Sequence, residues 1–298
     1  MERISFVCPV PAGRGGVQAA LLARSLRDFG GELRAAPFLA SPGPGGHDDA
    51  DSWAEAAEEL SVAQLPVDWE RRLPRVPFMG AVWMAAQAEE HLEGETKLLA
   101  WVMSDSLILG EPADFLLDDG VSLGCRPVHH KLKGLWLDEP LDDFWRPIHQ
   151  GCGAPEDPPF AMHTNCEREP IRPYINAGML VVRPERRLLR TWWDRCLDLA
   201  LDNDLNALFE QDSLYAIFYH QAVLTATILG TLPTDELVVL PESINYPLNL
   251  AEDVPADRSP PRLDDLVTAR YDELGDGSVL RSLPMSAELD GWLARALE

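Results

Sequence analysis

The chain has 298 residues, with 49 Asp or Glu against 25 Lys or Arg, and its net charge at pH 7 is −24. A surface this acidic repels phosphate groups, which excludes nucleic acids and anionic membranes as favoured partners. No apolar run reaches the length of about 18 residues that a membrane-spanning helix needs, so the sequence predicts no membrane span. Five widely spaced cysteines without a Cys-x-x-Cys motif favour reduced thiols, and we therefore expect a cytoplasmic protein.

In the first third of the chain, short apolar segments alternate with helical patterns. The predicted strands are residues 4–10, 35–40 and 97–103, and the predicted helices are residues 16–31, 53–65 and 80–94. Residues 97–103, with the sequence KLLAWVM, are apolar on both faces, which is typical of a central strand in a parallel sheet. This alternation of strand and helix predicts an α/β fold.

The remainder of the chain continues the same alternation after a long irregular loop at residues 150–173. The predicted helices are residues 185–201 and 210–229, and the predicted strands are residues 175–184 and 236–247. Residues 1–250 are therefore predicted to form one domain with a mixed, mostly parallel sheet flanked by helices. Residues 251–298 are acidic and rich in proline, and they are predicted to be an extension that packs on the same domain.

The end of the predicted central strand carries the first candidate site. The apolar run turns polar at Ser104, Asp105 and Ser106. In open α/β sheets, ligands bind beyond the carboxyl ends of the strands, and a carboxylate there can hold Mg²⁺ or Mn²⁺ against a diphosphate. The structural alternative is that Asp105 caps a turn.

Several short motifs occur after this strand in an order that points to one family. They are the segment INAGMLVVRP with Asn176 and Gly178, the segment EQDSLYAI with Gln211 and Asp212, and the segment LPESINYP. Together with Ser104–Asp105, this order resembles glycosyltransferases of the GT-A fold, of the glycogenin-like type. The resemblance covers residues 1 to about 250 and implies a GT-A-like sheet, a nucleotide-sugar donor and a hydroxyl acceptor.

The resemblance also assigns roles to individual residues. The nucleotide and its sugar would contact the end of the first strand, the Ser-Asp segment, the Asn-x-Gly segment and one histidine, which are Cys8, Pro9, Val10, Ser104, Asp105, Asn176, Gly178 and His129. The catalytic pair beside the reacting sugar would be Gln211 and Asp212, where a carboxylate can stabilise an oxocarbenium-like transition state or position the acceptor hydroxyl.

The metal site implied by the resemblance departs from the family pattern. Asp105 matches the second aspartate of the Asp-x-Asp motif, but Met103 stands where the first aspartate is expected. A thioether is a poor ligand for Mn²⁺ or Mg²⁺, which prefer oxygen. In the segment ARYDE, Asp272 could supply a late oxygen ligand, or Arg270 could meet phosphate directly.

A second metal site is possible in the irregular loop. His149, Cys152, His163 and Cys166 form a His-x2-Cys pattern that occurs twice, and this mixed set of ligands suits tetrahedral Zn²⁺. Such spacing also arises by chance, and the neighbouring glycines indicate a turn.

Three functions are compatible with these patterns. The first is an active glycosyltransferase, and the second is a catalytically inactive GT-A-like binding or scaffold protein, which the loss of an aspartate at Met103 would favour. The third is a nucleotidyltransferase, which needs a basic glycine-rich loop that only Arg14 could supply. The identities of donor base, sugar and acceptor, and the oligomeric state, are left open by the sequence.

Overall fold

The computed structural model describes residues 3–13, 15–44, 50–69 and 73–297, so Arg14 and part of the loop before residue 50 lie outside the described residues. In these ranges the strands are β1 (Ser5–Val10), β2 (Phe38–Pro42), β3 (Val62–Gln64), β4 (Leu99–Val102), β5 (Ser106–Ile108), β6 (Leu123–Pro127), β7 (Ile175–Val182), β8 (Leu237–Val239), β9 (Tyr246–Pro247) and β10 (Thr268–Arg270). The helices are α1 (Gly15–Phe29), α2 (Ala50–Glu59), α3 (Met79–Leu92), α4 (Trp145–Cys152), α5 (Leu188–Leu199), α6 (Asn203–Gln211), α7 (Ser213–Thr231) and α8 (Ala287–Ala296). None of these helices is long and apolar enough to cross a bilayer.

The main sheet of the described chain has the strand order β3-β2-β1-β4-β7-β6-β8. The pairings β1–β2, β1–β4, β2–β3 and β6–β8 are parallel, whereas β7 runs antiparallel to both of its neighbours. The sheet is therefore mixed and mostly parallel, and the predicted fold class is confirmed. All parallel strands end at one edge, where α/β proteins bind ligands.

A small second sheet lies at the same edge and has the order β5-β10-β9. Strand β5 begins directly after Ser104 and Asp105, so it continues the chain beyond the end of β4. Strand β10 pairs antiparallel to β5 and places Arg270 opposite Ser106. This pairing brings a late segment of the chain to the strand-end aspartate.

The two faces of the main sheet carry separate apolar cores, as the alternation of side chains along a strand requires. On one face, Val7, Leu99 and Trp101 pack with α3, α5 and α7. On the other face, Phe6 and Ala100 pack with α1. The fold is thus a central sheet between two layers of helices.

The segment after residue 250 contacts the first helix of the chain. Trp292 of α8 packs edge-on against Phe29, with ring centroids 4.9 Å apart, and its indole nitrogen donates a 2.7 Å hydrogen bond to Asp28. Leu21 of α1 and Leu107 of β5 belong to the same apolar cluster as the C-terminal residues.

Three local expectations differ from the structure, each for a simple reason. Helix α2 ends at Glu59, and the apolar residues after it form β3 at the edge of the sheet. The predicted helix over residues 210–229 is interrupted, because Asp212 adopts an extended conformation that ends α6 and caps α7. The irregular loop begins only after α4, which ends at Gly153 in a left-handed conformation.

One carboxyl group is buried between helices α3 and α5. Glu89 has 1% of its surface exposed, and its Oε2 accepts a hydrogen bond of 2.8 Å from the backbone amide of Arg190 at the start of α5. Burial raises the pKa of Glu89 from its ordinary 4.5 to about 7, while the backbone hydrogen bonds from Arg190, Leu189 and Leu188 oppose that rise. In the folded protein the Glu89 carboxyl group therefore stays protonated up to about pH 7.

The expected consequence is a loss of stability between pH 4.5 and 7, because the unfolded chain ionises Glu89 before the folded chain does. Above pH 7 this loss reaches at most about 3 kcal/mol. We expect Glu89→Gln, which keeps one oxygen acceptor, to raise the Tm at pH 8 by roughly 2–6 °C and to leave it unchanged at pH 4. Glu90→Gln is the matched control, since Glu90 is 62% exposed. A lower Tm of Glu89→Gln at pH 8 would show that the hydrogen bonds from the start of α5 stabilise the ionised carboxylate by more than burial destabilises it.

Candidate active site

A cleft of about 980 Å³ opens at the edge where the parallel strands end. Pro9 and Val10 line it from the end of β1, and Ser104 and Asp105 line it from the end of β4. These strands are neighbours in the sheet, so their carboxyl ends meet at one place. The volume is within the range of pockets that enclose small-molecule ligands.

The antiparallel pairing of β4 with β7 supplies the next wall of the cleft. The register puts Val102 opposite Met179, and the backbone amide of Met103 donates a 2.9 Å hydrogen bond to the carbonyl of Gly178. Asn176 also lines the cleft, and its Oδ1 accepts a 2.7 Å hydrogen bond from the amide of Gly178. The Asn-x-Gly segment thus lies beside the strand-end aspartate.

Arg270 connects the two carboxylates that were predicted to bind metal. Its Nε and Nη2 donate hydrogen bonds of 3.1 and 2.9 Å to Oδ2 of Asp105. Its Nε also lies 3.2 Å from Oδ1 of Asp272. The backbone helps to fix this geometry, because the amide of Tyr271 donates a 2.9 Å hydrogen bond to the carbonyl of Asp105. A guanidinium therefore lies between the carboxylates.

Gly178 leaves the space that the Arg270 side chain occupies. A Cβ atom at this position would lie 2.2 Å from Nη1 of Arg270 and 2.8 Å from Oδ1 of Asn176. Both distances are far below van der Waals contact, so no residue with a side chain fits unless Arg270 moves. The glycine of the Asn-x-Gly segment is required here for space, and the requirement comes from Arg270.

Burial and the neighbouring charges act in opposite directions on this cluster. Burial raises the pKa of Asp105, the Arg270 guanidinium lowers it, and Asp272 raises it again, with a net rise. Burial lowers the pKa of Arg270, but the carboxylates of Asp105 and Asp272 outweigh burial and the net shift is upward. Arg270 is therefore a permanent cation. One oxygen of Asp105, Oδ1, is buried without a partner among the described residues.

His129 contributes a neutral imidazole to the cleft. Burial, together with the positive charge of Arg270, lowers the pKa of His129 to about 3. Its Nδ1 lies 3.3 Å from Oδ1 of Asn165, so Nδ1 carries the proton and Nε2 is left as an acceptor. Within the described chain, Nε2 has no hydrogen-bond partner. This nitrogen is itself buried, so His129 lines the cleft as a neutral ring.

Much of the remaining cleft lining is apolar and includes Trp69, Phe78, Leu132, Trp192 and Phe218. Phe78 is 44% exposed and Leu132 is 50% exposed, and both have backbone conformations in the left-handed region. Such conformations are costly for bulky residues and cluster at functional sites. The strained backbone and the exposed side chains of Phe78 and Leu132 therefore favour a role in contacting a ligand.

Three of the predicted site residues lie elsewhere among the described residues. Cys8 is fully buried in the core, and burial followed by the charge of Asp105 raises the pKa of its thiol. Gln211 is the exposed last residue of α6. Asp212 caps α7 by accepting a hydrogen bond from the amide of Leu214, and it forms a 2.5 Å ion pair with Lys133. None of the three is among the residues that line the cleft.

Gln221 is a cleft residue that sequence analysis missed. It lies in the middle of α7, and its Oε1 accepts a 2.9 Å hydrogen bond from the amide of Ala177, inside the Asn-x-Gly segment. A signal for it exists in the sequence, since His220 and Gln221 are polar residues in an otherwise nearly apolar stretch of helix.

The strand-end residues do not fit a divalent cation in this arrangement. Met103 offers no hard oxygen ligand, and the carboxylates of Asp105 and Asp272 are already engaged by the guanidinium of Arg270. A cation placed between these carboxylates would have to displace a buried positive charge. No group of three or more His, Cys, Asp or Glu side chains in the described ranges has a metal-binding arrangement.

The four predicted zinc ligands also do not form a metal-binding group among the described residues. His149 of α4 contacts the carbonyl of Pro155 through Nδ1 at 2.8 Å. Cys152, one turn later, lies 3.7 Å from the hydroxyl of Thr227. These two side chains are held by neighbours on the loop and on α7, which accounts for their burial without a metal.

Comparison with solved structures identifies the class of fold. LgtC carrying a glutamine-to-glutamate substitution in its active site matches with a TM-score of 0.52 at 13% identity, over 93% of this chain and 94% of that chain. The bifunctional glycosyltransferase WbbM in its apo form matches with a TM-score of 0.51 at 8% identity, over 91% of this chain and 46% of that chain. The chain thus spans about half of WbbM. At these identities the matches establish the fold, and the predicted GT-A-like architecture is confirmed.

The sequence itself places the chain in a narrower group. Residues 6–229 match the family described as the Rhodobacterales glycosyltransferase domain, and the chain belongs to that family. A search of curated proteins found no match. The prediction of a glycosyltransferase is therefore confirmed at the level of the family, and neither comparison favours the inactive scaffold.

Proposed function

We propose that the cleft binds a nucleotide-sugar donor and transfers its sugar to a hydroxyl acceptor. The observation that carries this proposal is the convergence of Asp105, Arg270 and the Asn176–Gly178 segment at the strand ends, in a chain that belongs to a glycosyltransferase family. In the reaction, the bond between the anomeric carbon and the diphosphate oxygen breaks and its electron pair leaves with the diphosphate. The acceptor oxygen bonds to the anomeric carbon and releases its proton to solvent.

The donor fits the polar side of the cleft. Pro9 and Val10 offer an apolar edge for the base, and Arg270 supplies a positive charge for the diphosphate. His129 lines the cleft as a neutral imidazole and adds no charge beside the sugar.

Gln221 is the side chain that we place beside the reacting sugar, in preference to Gln211 and Asp212. It lines the cleft next to Ala177, whereas the other two do not. The matched LgtC structure carries a substitution of an active-site glutamine, so a protein of this fold has a glutamine in its active site. That parallel supports a glutamine beside the reacting sugar, and the place of Gln221 in the cleft lining favours it over Gln211.

The acceptor fits the apolar side of the cleft. Trp69, Phe78 and Phe218 present ring surfaces there, and aromatic rings bind the apolar faces of sugars and of aglycones. Leu132 extends this surface from the loop after β6. We therefore place the acceptor hydroxyl between this wall and Gln221.

The test is turnover of a panel of nucleotide-sugars, measured as release of nucleoside diphosphate. We expect one donor to be turned over, and we expect Asp105→Asn to lower its turnover at least about tenfold, because the guanidinium loses its charged partner. Asp290→Asn is the control, since Asp290 pairs with Arg281 through a 2.9 Å contact that is remote from the cleft lining. If no donor binds or turns over, the inactive scaffold becomes the better description.

A further inference from the structure

Arg270 places a fixed positive charge at the point where the strand-end carboxylates converge. Its Nε and Nη2 are bonded to Asp105, and Nε also contacts Asp272. Nη1 points to the opposite side, against Gly178 and the cleft wall. In the described chain, no hydrogen bond from Nη1 to a protein acceptor is found, and Arg270 lines the cleft. The guanidinium therefore has donors available to a ligand.

We propose that Arg270 binds the diphosphate of the donor directly and takes the place of the divalent cation, so that donor binding does not require metal. The proposal rests on the proposed function, because it concerns the same cleft and the same donor. A guanidinium presents paired N–H donors that match the oxygens of phosphate, and it keeps its charge at any working pH. Asp105 and Asp272 orient it, as they would a metal ion.

The surroundings of Arg270 support this assignment. Asn249 donates a 2.6 Å hydrogen bond to Asp272, and the backbone of Asp272 is held in the left-handed region, so the second carboxylate is fixed in place. Pro11 and Ala12, which precede helix α1, also line the cleft.

The same charge assists the bond-breaking step. As the bond from the anomeric carbon to the diphosphate oxygen breaks, negative charge accumulates on the leaving diphosphate. A cation that is already in position stabilises that charge without reorganisation. The attraction between the guanidinium and the diphosphate is electrostatic. Salt screens such an attraction, so the diphosphate should bind more weakly as salt is added.

The experiment measures binding of UDP, GDP, ADP and CDP to the full chain by titration calorimetry, in EDTA and separately in Mn²⁺. We expect at least one of them to bind in EDTA, with a Kd that Mn²⁺ changes by less than about threefold. Arg270→Gln should weaken that binding at least about tenfold in EDTA, and Arg270→Lys, which keeps the charge but not the paired donors, should fall between. Arg281→Gln removes a surface partner of Asp290 and should bind as the wild type does. Melting curves check that each variant is folded.

The outcomes separate this inference from the proposed function. Binding that appears only with Mn²⁺ overturns the inference and leaves the proposed function intact. Wild-type affinity in a folded Arg270→Gln also overturns it. Absence of binding by every nucleotide, with and without Mn²⁺, overturns both proposals. If Arg270→Gln does not fold, the comparison of EDTA with Mn²⁺ in the wild type still decides the metal requirement, and Arg270→Lys decides the role of the side chain.

Discussion

Gly178→Ala is expected to lower donor turnover roughly 100-fold and to weaken binding of the nucleoside diphosphate. A single methyl group would lie 2.2 Å from Nη1 of Arg270 and 2.8 Å from Oδ1 of Asn176. The backbone here is fixed by β4–β7 pairing, so the arginine side chain must move away. Once displaced, the guanidinium no longer holds its bonds to Asp105 and faces the donor in the wrong position.

Donor binding by calorimetry and turnover under saturating donor are the measurements that check this result. Overpacking of this kind costs about 1–3 kcal/mol, so the variant should melt earlier than the wild type and still be folded at 25 °C. Gly110→Ala is the control, because a Cβ at Gly110 meets its nearest neighbour at an ordinary 3.7 Å. If Gly178→Ala turns over donor as the wild type does, Arg270 does not need its observed position.

The strand-end aspartate was predictable because its signal is local. An apolar run followed by Ser104 and Asp105 specifies a buried strand and its polar end within a few residues. The position of Asn176 and Gly178 followed from the family resemblance, and the β4–β7 pairing explains it physically. Met103 was recognised as a missing ligand because the family resemblance places an aspartate at this position and a thioether is a poor ligand for Mn²⁺ or Mg²⁺.

The role of Arg270 was beyond the reach of a local pattern. Its partner, Asp105, is 165 residues earlier in the chain, and they meet because β10 pairs with β5 in the small sheet. Strands of three residues carry too little periodicity to predict such a pairing. The sequence offered Asp272 as a ligand and Arg270 as a phosphate contact, and the structure shows one cluster that contains both.

The catalytic pair was placed at Gln211 and Asp212 from the family resemblance, and one helix was expected over residues 210–229. A helix that begins at Ser213 instead puts Asp212 at its exposed N-terminus, where the carboxylate caps the helix and pairs with Lys133. Gln221 lies about two turns further along α7, against β7. It belongs to the cleft lining, whereas Gln211 and Asp212 do not.

Gln221→Glu is expected to lower kcat roughly 10- to 100-fold while the KM for the donor changes less than about threefold. The glutamate keeps an oxygen that can accept the hydrogen bond from the amide of Ala177, so the wall of the cleft retains its shape. Two things change: an oxygen replaces the amide nitrogen that we propose Gln221 offers to the sugar, and a negative charge enters a buried position. The loss should therefore appear in the chemical step.

Two further variants distinguish contact with the sugar from support of the backbone. Gln221→Leu leaves the buried amide of Ala177 without its acceptor, which costs about 1–3 kcal/mol of stability and should also raise the KM for the donor. If Gln221→Glu has normal kcat and only Gln221→Leu is impaired, Gln221 is a positioning residue for the Asn-x-Gly segment. Asp212→Asn tests the alternative pair. A large fall in kcat in this variant, with Gln221→Glu unaffected, would assign the catalytic role to Asp212 at the start of α7.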